Sequence, residues 1–201
     1  MSKVLILFAH PAFQKSRAQK HLVAATHSLD EVTFHDLYEA YPDFNIDVPH
    51  EQQLLRDHDL IVLQHPFYWY SCPALLKEWL DLVLEYGFAY GHEGTALEGK
   101  KMLTVITTGG SQDAYRNDGY NRFTIRQFLA PFEQTAVLCG MRYLPPYVVH
   151  GMHSGIEENA MDQYAAAYRQ LLIGLRDQTF DLKHLDSLTY TNELLEDRGD
   201  A

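Results

Sequence analysis

The chain has 201 residues, of which 46% are hydrophobic, and a formal net charge of −11 at pH 7. This length is enough for one well-buried α/β domain, and nothing in the composition marks a second domain or a low-complexity linker. The acidity argues against a nucleic-acid partner, because sequence-independent binding to a phosphate backbone needs clustered Lys and Arg.

The first half of the chain predicts three strands separated by helices. Residues 3–9 form a continuous apolar run, which is typical of a central parallel strand covered on both faces. This run passes into His10-Pro11 without a small-residue cleavage site, so we interpret it as a strand and not as a signal peptide. The next elements are a helix over 16–29 capped by Ser16, an outer strand over 32–37, a long connection over 38–49, a short helix over 51–57, a third strand over 60–64 and an amphipathic helix opened by Pro73.

The second half continues the alternation of strands and helices. It predicts a fourth strand over 101–107, a polar loop to about residue 122, a helical stretch that restarts at Pro131, a fifth strand over 143–150 and a closing helix over 155–176. Five strands alternating with helices predict a doubly wound, five-stranded parallel sheet with helices on both faces.

We assign residues 1–176 to the domain and residues 177–201 to an acidic C-terminal tail. The tail carries seven acids against two bases, and it has apolar pairs at Leu185 with Leu188 and at Leu194 with Leu195. These pairs could pack on the domain or on a second subunit, or the tail could be partly disordered. The sequence does not choose between these arrangements.

Four loops carry the residues that could form a ligand site. Doubly wound sheets bind ligands beyond the carboxyl ends of their strands, where the strand order reverses. The loops at those ends are residues 10–19, 66–70, 107–120 and 150–153. We therefore expect these four loops to meet at one site.

Two of these loops suit a flat cofactor ring. The fourth strand ends in Thr107-Thr108-Gly109-Gly110, where glycines let backbone N–H groups approach a ligand closely. The loop after the third strand holds four consecutive aromatics, Phe67-Tyr68-Trp69-Tyr70, whose rings can stack on a heteroaromatic ring. The alternative for the aromatics is packing under a helix, and we favour contact with a cofactor.

The start of the first helix is a candidate phosphate site. Ser16, Arg17, Ala18 and Gln19 place free backbone N–H groups at the positive end of the helix dipole. An ordinary N-cap is the commoner explanation, although Lys15 and Arg17 are unusual cations in so acidic a chain.

Other motifs in the chain carry less weight. The P-loop-like run over 94–100 has Lys101 where Ser or Thr should hold magnesium, and it precedes a strand instead of following one. His150 and His153 lack the partners of a metal site, so we predict no bound metal. Cys72 and Cys139 show neither metal-ligand spacing nor a disulfide framework, which fits a reducing cytosol.

Several motifs together resemble those of a known family. They are His10-Pro11, Tyr41-Pro42-Asp43-Phe44-Asn45, His65-Pro66 through Ser71, Thr107-Thr108-Gly109-Gly110, and Cys139-Gly140 with Leu144-Pro145-Pro146. Over residues 3–150 the chain resembles the flavodoxin-like NAD(P)H:quinone oxidoreductases. Within them it is most similar to the bacterial branch that includes the ancillary proteins of glutathione-regulated potassium efflux systems.

This resemblance implies a non-covalent flavin, FMN, with FAD as the alternative because animal relatives use it. The residues that it implies around the flavin are His10, Ser16, Arg17, Ala18 and Gln19 at the phosphate and ribityl chain, and Pro66, Phe67, Tyr68, Trp69, Tyr70, Thr107, Thr108, Gly109, Gly110 and Tyr115 at the ring. The implied reaction is ping-pong: NAD(P)H gives a hydride to the flavin and leaves, and a quinone then receives two electrons.

The resemblance also bears on catalytic residues and partners. In animal relatives a tyrosine and a histidine after the Thr-Thr-Gly-Gly turn stabilise charge on the reduced ring. Tyr115 matches the tyrosine and Asn121 stands at the histidine position, with Tyr120 or Arg122 as candidates to compensate. The family implies a cytoplasmic homodimer in which residues 41–49 cover the partner's flavin.

Two other functions stay open beside the reductase. One is a regulatory subunit that binds a potassium-efflux antiporter at the inner face of the membrane, with little turnover of its own. The other is a one-electron flavodoxin carrier, which the aromatic loop disfavours because it provides room for a stacked organic substrate.

Overall fold

The computed structural model describes residues 1–196, except for the side chains of Ser154, Leu195 and Glu196. Its six parallel strands follow the order β2-β1-β3-β4, with β5 and β6 both pairing with β4. The strands are β1 (Val4–Phe8), β2 (Val32–Asp36), β3 (Leu60–Pro66), β4 (Lys101–Thr107), β5 (Arg142–Tyr143) and β6 (Tyr147–Val149). The helices are α1 (Arg17–Thr26), α2 (Leu37–Ala40), α3 (Val48–Asp57), α4 (Ala74–Val83), α5 (Ile125–Phe128), α6 (Ala130–Leu138), α7 (Glu158–Arg176), α8 (Leu182–Ser187) and α9 (Glu193–Glu196).

Helices cover both faces of the sheet, as predicted, because successive strand residues point to opposite sides. In β1, Leu5 and Leu7 pack in one core with α3, α4 and α6. Val4 and Ile6 pack in a second core with α1 and α7. The continuous apolar run of β1 is thus explained by burial on both faces.

The predicted fifth strand is wrong in its form. The structure has two short strands there, β5 and β6, on either side of Leu144-Pro145-Pro146. The prolines lack the N–H groups that a continuous ladder needs, so the chain leaves β4 and rejoins it further along. The two short strands together occupy the fifth position of the predicted five-stranded sheet.

The connection predicted over 38–49 is shorter than expected. It contains most of α2, and α3 begins at Val48 where residue 51 was predicted. The side chain of Asp47 caps α3 by accepting the N–H of His50. Pro49 fits the first turn, because an N–H at that position would have no acceptor within the helix and proline lacks one.

The C-terminal segment, residues 177–196, packs on its own domain. Leu185 is fully buried and Leu194 is nearly so, both in the core that contains α7. Arg142 pairs with Asp186 and donates to the carbonyl of Leu182 at 2.9 Å. This segment therefore docks on the domain, which is one of the arrangements that the sequence left open. Residues 197–201 of the predicted tail lie outside the described residues.

Asn192 closes the free edge of β6. Its side-chain amide accepts the N–H of Val148 at 2.9 Å and donates to the carbonyl of the same residue at 3.0 Å. An open strand edge presents unpaired backbone groups, and this side chain pairs both of them.

We expect Asn192→Ala to lower the free energy of unfolding by about 1–2 kcal/mol, because two partly buried hydrogen bonds are lost. Urea denaturation followed by circular dichroism measures the change. Asn117→Ala, at an exposed loop position, is the matched control. Equal stability of the Asn192 and Asn117 variants would show that the amide does not stabilise the edge.

Candidate functional site

A cavity of about 890 Å³ opens at the carboxyl edge of the sheet. This volume is near the upper end of the roughly 300–1,000 Å³ of small-molecule pockets. All four predicted loops contribute to its wall. Of the predicted site residues, it is lined by His10, Ser16, Arg17, Ala18, Pro66, Phe67, Tyr68, Trp69, Tyr70, Thr107, Thr108, Gly109, Gly110, Tyr115 and Asn121.

Gln19 is the one predicted site residue that the wall does not include, and its contact with a cofactor stays a prediction. Its side chain is fully buried, where it donates to Thr107 Oγ1 at 3.3 Å and accepts from Gln64 at 2.9 Å. Tyr168 donates to the same Gln64 at 2.9 Å. Gln19 therefore supports the floor of the cavity from beneath, because an amide buried in a core must find hydrogen-bond partners there.

The N-terminus of α1 forms one end of the cavity. Ser16 caps the helix by accepting the N–H of Gln19 at 3.2 Å, and Arg17 and Ala18 occupy the first turn. Arg17 also pairs with Glu158 at 2.7 Å, which holds its guanidinium at the rim. With Lys15 in the same wall, this end is electropositive and suits a phosphate.

The 107–110 turn forms the centre of the cavity. The carbonyl oxygens of residues 108, 109 and 110 accept N–H groups from residues 152, 153 and 151, at 2.8–3.0 Å. Within the part of the chain that the structure describes, neither the N–H of Gly109 nor that of Gly110 donates to a backbone carbonyl. A Cβ on Gly109 would lie 2.6 Å from the ring of His153, so this ring would have to move to admit a side chain there. The turn thus offers two backbone donors to a ligand.

The aromatic loop, residues 67–70, has one ring packed inside the protein and another exposed beside the cavity. Phe67 is buried and makes edge contacts with Tyr115 and Phe128 at 5.9 and 5.7 Å between ring centroids. Trp69 is 94% exposed, with φ of 50°, and Tyr70 has φ of 61°. Left-handed backbone is unfavourable for such residues and is often found at binding sites, so this strain is consistent with an aromatic rim built for a ligand.

His10 and Tyr115 supply polar groups to the wall. His10 Nδ1 accepts the N–H of Ala12 at 3.0 Å, so the ring proton is on Nε2. Burial lowers the pKa of His10, which keeps it neutral at pH 7. Burial raises the pKa of the Tyr115 phenol, although Thr108 and Gly110 oppose the shift, so this phenol is a protonated donor.

Asn121 lies beside the aromatic loop and accepts from the Tyr70 hydroxyl at 3.2 Å. Tyr120 also lines the cavity, whereas Arg122 is not part of its wall. The sequence analysis did not single out Ala12, Ala114, Ile156 and Met161, which complete the wall. Apolar side chains carry no chemical signal in a sequence, so only the fold reveals their place.

The strand order and the position of the cavity define the class of protein. A parallel sheet of order 2-1-3-4-5 with a ligand cavity at its switch point is a flavodoxin-like α/β fold. A sequence model of the family described as "Flavodoxin-like fold" matches residues 2–172. The chain belongs to this family.

Individual relatives agree with this membership. The glutathione-regulated potassium-efflux system ancillary protein KefG of Serratia proteamaculans is 54% identical over 166 residues, or 83% of this chain and 90% of that protein. General stress protein 14 of Treponema denticola, solved in complex with FMN, is 41% identical with a TM-score of 0.78, covering 86% and 97% of the two chains. An NADPH-quinone reductase from P. pentosaceus is 38% identical with a TM-score of 0.77, covering 84% and 96%.

Among residues 1–196, no helix has the length and apolar character that crossing a membrane requires.

Proposed function

We propose that this protein is a flavin-dependent NAD(P)H:quinone reductase with FMN as its cofactor. The observation that carries the proposal is one cavity that joins three features: a helix N-terminus suited to phosphate, two glycine N–H groups that make no backbone hydrogen bond among the described residues, and an aromatic rim. The FMN complex of the Treponema denticola relative and the NADPH-quinone reductase from P. pentosaceus support it. When bound, a flavin supplies hydride acceptance from NAD(P)H followed by two-electron transfer to a quinone.

The residues of the cavity would hold this cofactor from its phosphate to its ring. Ser16 and the N–H groups of Arg17 and Ala18 bind the phosphate, with Lys15 adding positive charge. Gly109 and Gly110 donate to polar atoms of the ring, and Tyr115 adds a phenol donor near the same turn. Fixed donors of this kind stabilise negative charge as it develops, without having to reorganise during the reaction.

The exposed rim provides for the second substrate. Trp69 and Tyr120 are 94% and 90% exposed at the mouth of the cavity, where planar nicotinamide and quinone rings can stack in turn. We infer that the protein acts as a homodimer whose 41–49 loop covers the partner's rim. Light scattering on a sizing column measures this state directly.

A regulatory function at a potassium-efflux antiporter is the second candidate. The 54% identity to the KefG ancillary protein supports it. In this function the protein would lie at the inner face of the membrane, bound to the antiporter. Both functions are compatible, since a regulatory subunit can also turn over quinones.

The first experiment identifies the flavin and tests turnover. The protein is purified, its visible spectrum recorded, released flavin identified, and NADH and NADPH oxidation followed with and without menadione. We expect FMN and quinone-dependent oxidation. Failure to bind any flavin after reconstitution would refute the proposal, and flavin binding without turnover would favour the regulatory function.

We expect Tyr115→Phe to lower kcat with menadione roughly tenfold while leaving FMN affinity within about twofold. The phenol donor is lost, but the glycine N–H groups remain to stabilise charge. Stopped-flow kinetics of the reductive and oxidative half-reactions measure the effect. Tyr86→Phe, at an exposed position outside the cavity, is the control. An unchanged kcat would remove Tyr115 from the mechanism.

A further inference from the structure

His150 follows β6 and contacts the proposed flavin site from behind. Its Nδ1 is 3.1 Å from Thr108 Oγ1, and its ring is 5.8 Å from that of Tyr115. On another side, Tyr190 of the C-terminal segment packs against it, also at 5.8 Å. His150 does not line the cavity, and the mechanism above makes no use of it.

The hydrogen bonds fix the tautomer of this histidine. Thr108 Oγ1 donates its only proton to the carbonyl of Gly110 at 2.9 Å, so it accepts from His150. Burial lowers the pKa of His150 to about 4, and the neutral ring therefore carries its proton on Nδ1. Nε2 is buried and has no partner among the described residues. The result is a chain of two hydrogen bonds, in which His150 donates to Thr108 and Thr108 donates to Gly110.

This chain ends on the groups that would meet the flavin. Gly110 supplies one of the two N–H groups of the 107–110 turn that make no backbone hydrogen bond among the described residues. The Tyr115 ring lies 5.8 Å from that of His150, and its hydroxyl is 3.6 Å from the position that a Cβ on Gly110 would take. Moving His150 would therefore disturb both kinds of donor in the turn.

The C-terminal segment holds the other side of the histidine. Next to Tyr190, the N–H of Thr191 donates to the carbonyl of Pro146 at 3.0 Å, and Asn192 pairs with both backbone groups of Val148. This part of the chain lies beyond residues 2–172, which the family sequence model matches. Tyr190 thus lies outside the part of the chain that the family model matches, and it contacts the proposed flavin site through His150.

We propose that His150 is a positioning residue for the 107–110 turn and Tyr115, and that the C-terminal segment holds it in place through Tyr190. The inference rests on the proposed function, because it explains how the same site is kept ready for the flavin.

The test compares conservative and disruptive variants. His150→Asn keeps a donor near the position of Nδ1, and His150→Leu removes it; Tyr190→Phe keeps the ring, and Tyr190→Ala removes it. We expect the two disruptive variants to bind FMN about tenfold more weakly and to shift the midpoint potential of the bound flavin, and the two conservative variants to stay within about twofold of the wild type. Fluorescence quenching and redox titration measure these quantities. His92→Leu, at an exposed site, is the control.

A second readout needs no flavin. Nitrogen NMR of the apoprotein is expected to show His150 as the Nδ1–H tautomer, with Thr108→Val changing its ring nitrogen shifts and Thr108→Ser retaining them.

An Nε2–H tautomer, or wild-type FMN affinity and potential in His150→Leu, would overturn the positioning role. Wild-type FMN affinity in Tyr190→Ala would show that the C-terminal segment does not hold His150 in place. If the wild type binds no flavin, the proposed function fails, and the NMR result still decides the role of His150. If His150→Leu does not fold, His150→Phe, which keeps a ring and removes the donor, takes its place in the FMN measurement.

Discussion

Replacing Ser16 with aspartate is expected to weaken FMN binding by at least about a hundredfold without disturbing the fold. Aspartate caps helices as well as serine does, so the N–H of Gln19 keeps its acceptor. The new carboxylate stands where the cofactor phosphate would bind. Two unit charges about 4 Å apart at an effective dielectric of about 20 repel by about 4 kcal/mol, and salt reduces this only in part.

Riboflavin separates a charge effect from a structural one, because it has the flavin ring without the phosphate. We expect Ser16→Asp to reduce riboflavin affinity by no more than about threefold. Thr124→Asp, at the N-cap of α5 and outside the cavity wall, is the matched control. An equal loss of FMN and riboflavin affinity would show that the phosphate does not lie at α1, and the assignment of this end of the cavity would fail.

The largest expected effect on stability is at Glu51 in α3, a carboxylate with no solvent exposure. Its Oε1 accepts from the Tyr41 hydroxyl at 2.6 Å and from His35 Nε2 at 2.8 Å. Its Oε2 accepts from the indole N–H of Trp79 at 2.7 Å. The Glu51 side chain therefore connects α3 to β2 through His35, to α4 through Trp79, and to Tyr41, which follows α2.

We expect Glu51→Leu to lower the free energy of unfolding by about 3–5 kcal/mol, because it leaves two buried donors, Tyr41 and Trp79, and the part-buried donor His35 without an acceptor. Glu51→Gln keeps the shape but can accept at one oxygen only, and its expected cost is about 2 kcal/mol. Urea denaturation measures both, with Glu78→Leu on the exposed side of α4 as control. A cost below about 1 kcal/mol for Glu51→Leu would mean that the network does not hold these elements together.

The pH dependence of this effect has a definite sign. Burial raises the pKa of Glu51, but the hydrogen bonds from His35, Tyr41 and Trp79 outweigh it, and the net pKa is lowered. The contribution is fully present above the ordinary pKa of a glutamate and is lost as the pH falls through the lower value of the folded state. The stability difference between wild type and Glu51→Gln should therefore shrink in acid.

Local sequence signals were sufficient for much of the fold. The bounds of β4 were predicted to the residue, and Ser16 was correctly placed as the cap of α1. Apolar runs, caps and prolines act within a few residues of where they stand, so one sequence is enough to locate them. The same reasoning brought four loops to one cavity, because the carboxyl ends of parallel strands share one edge of a sheet.

Only the tertiary structure decided which side chains turn inward. The side chain of Gln19 lies in the core because it finds its partners there, Thr107 and Gln64, which are 88 and 45 residues away in the chain. The docking of the C-terminal segment and the place of His150 between Thr108 and Tyr190 depend on contacts of the same kind. Such contacts form when distant segments pack together, and the local pattern of a sequence carries no record of which partner a buried polar group will find.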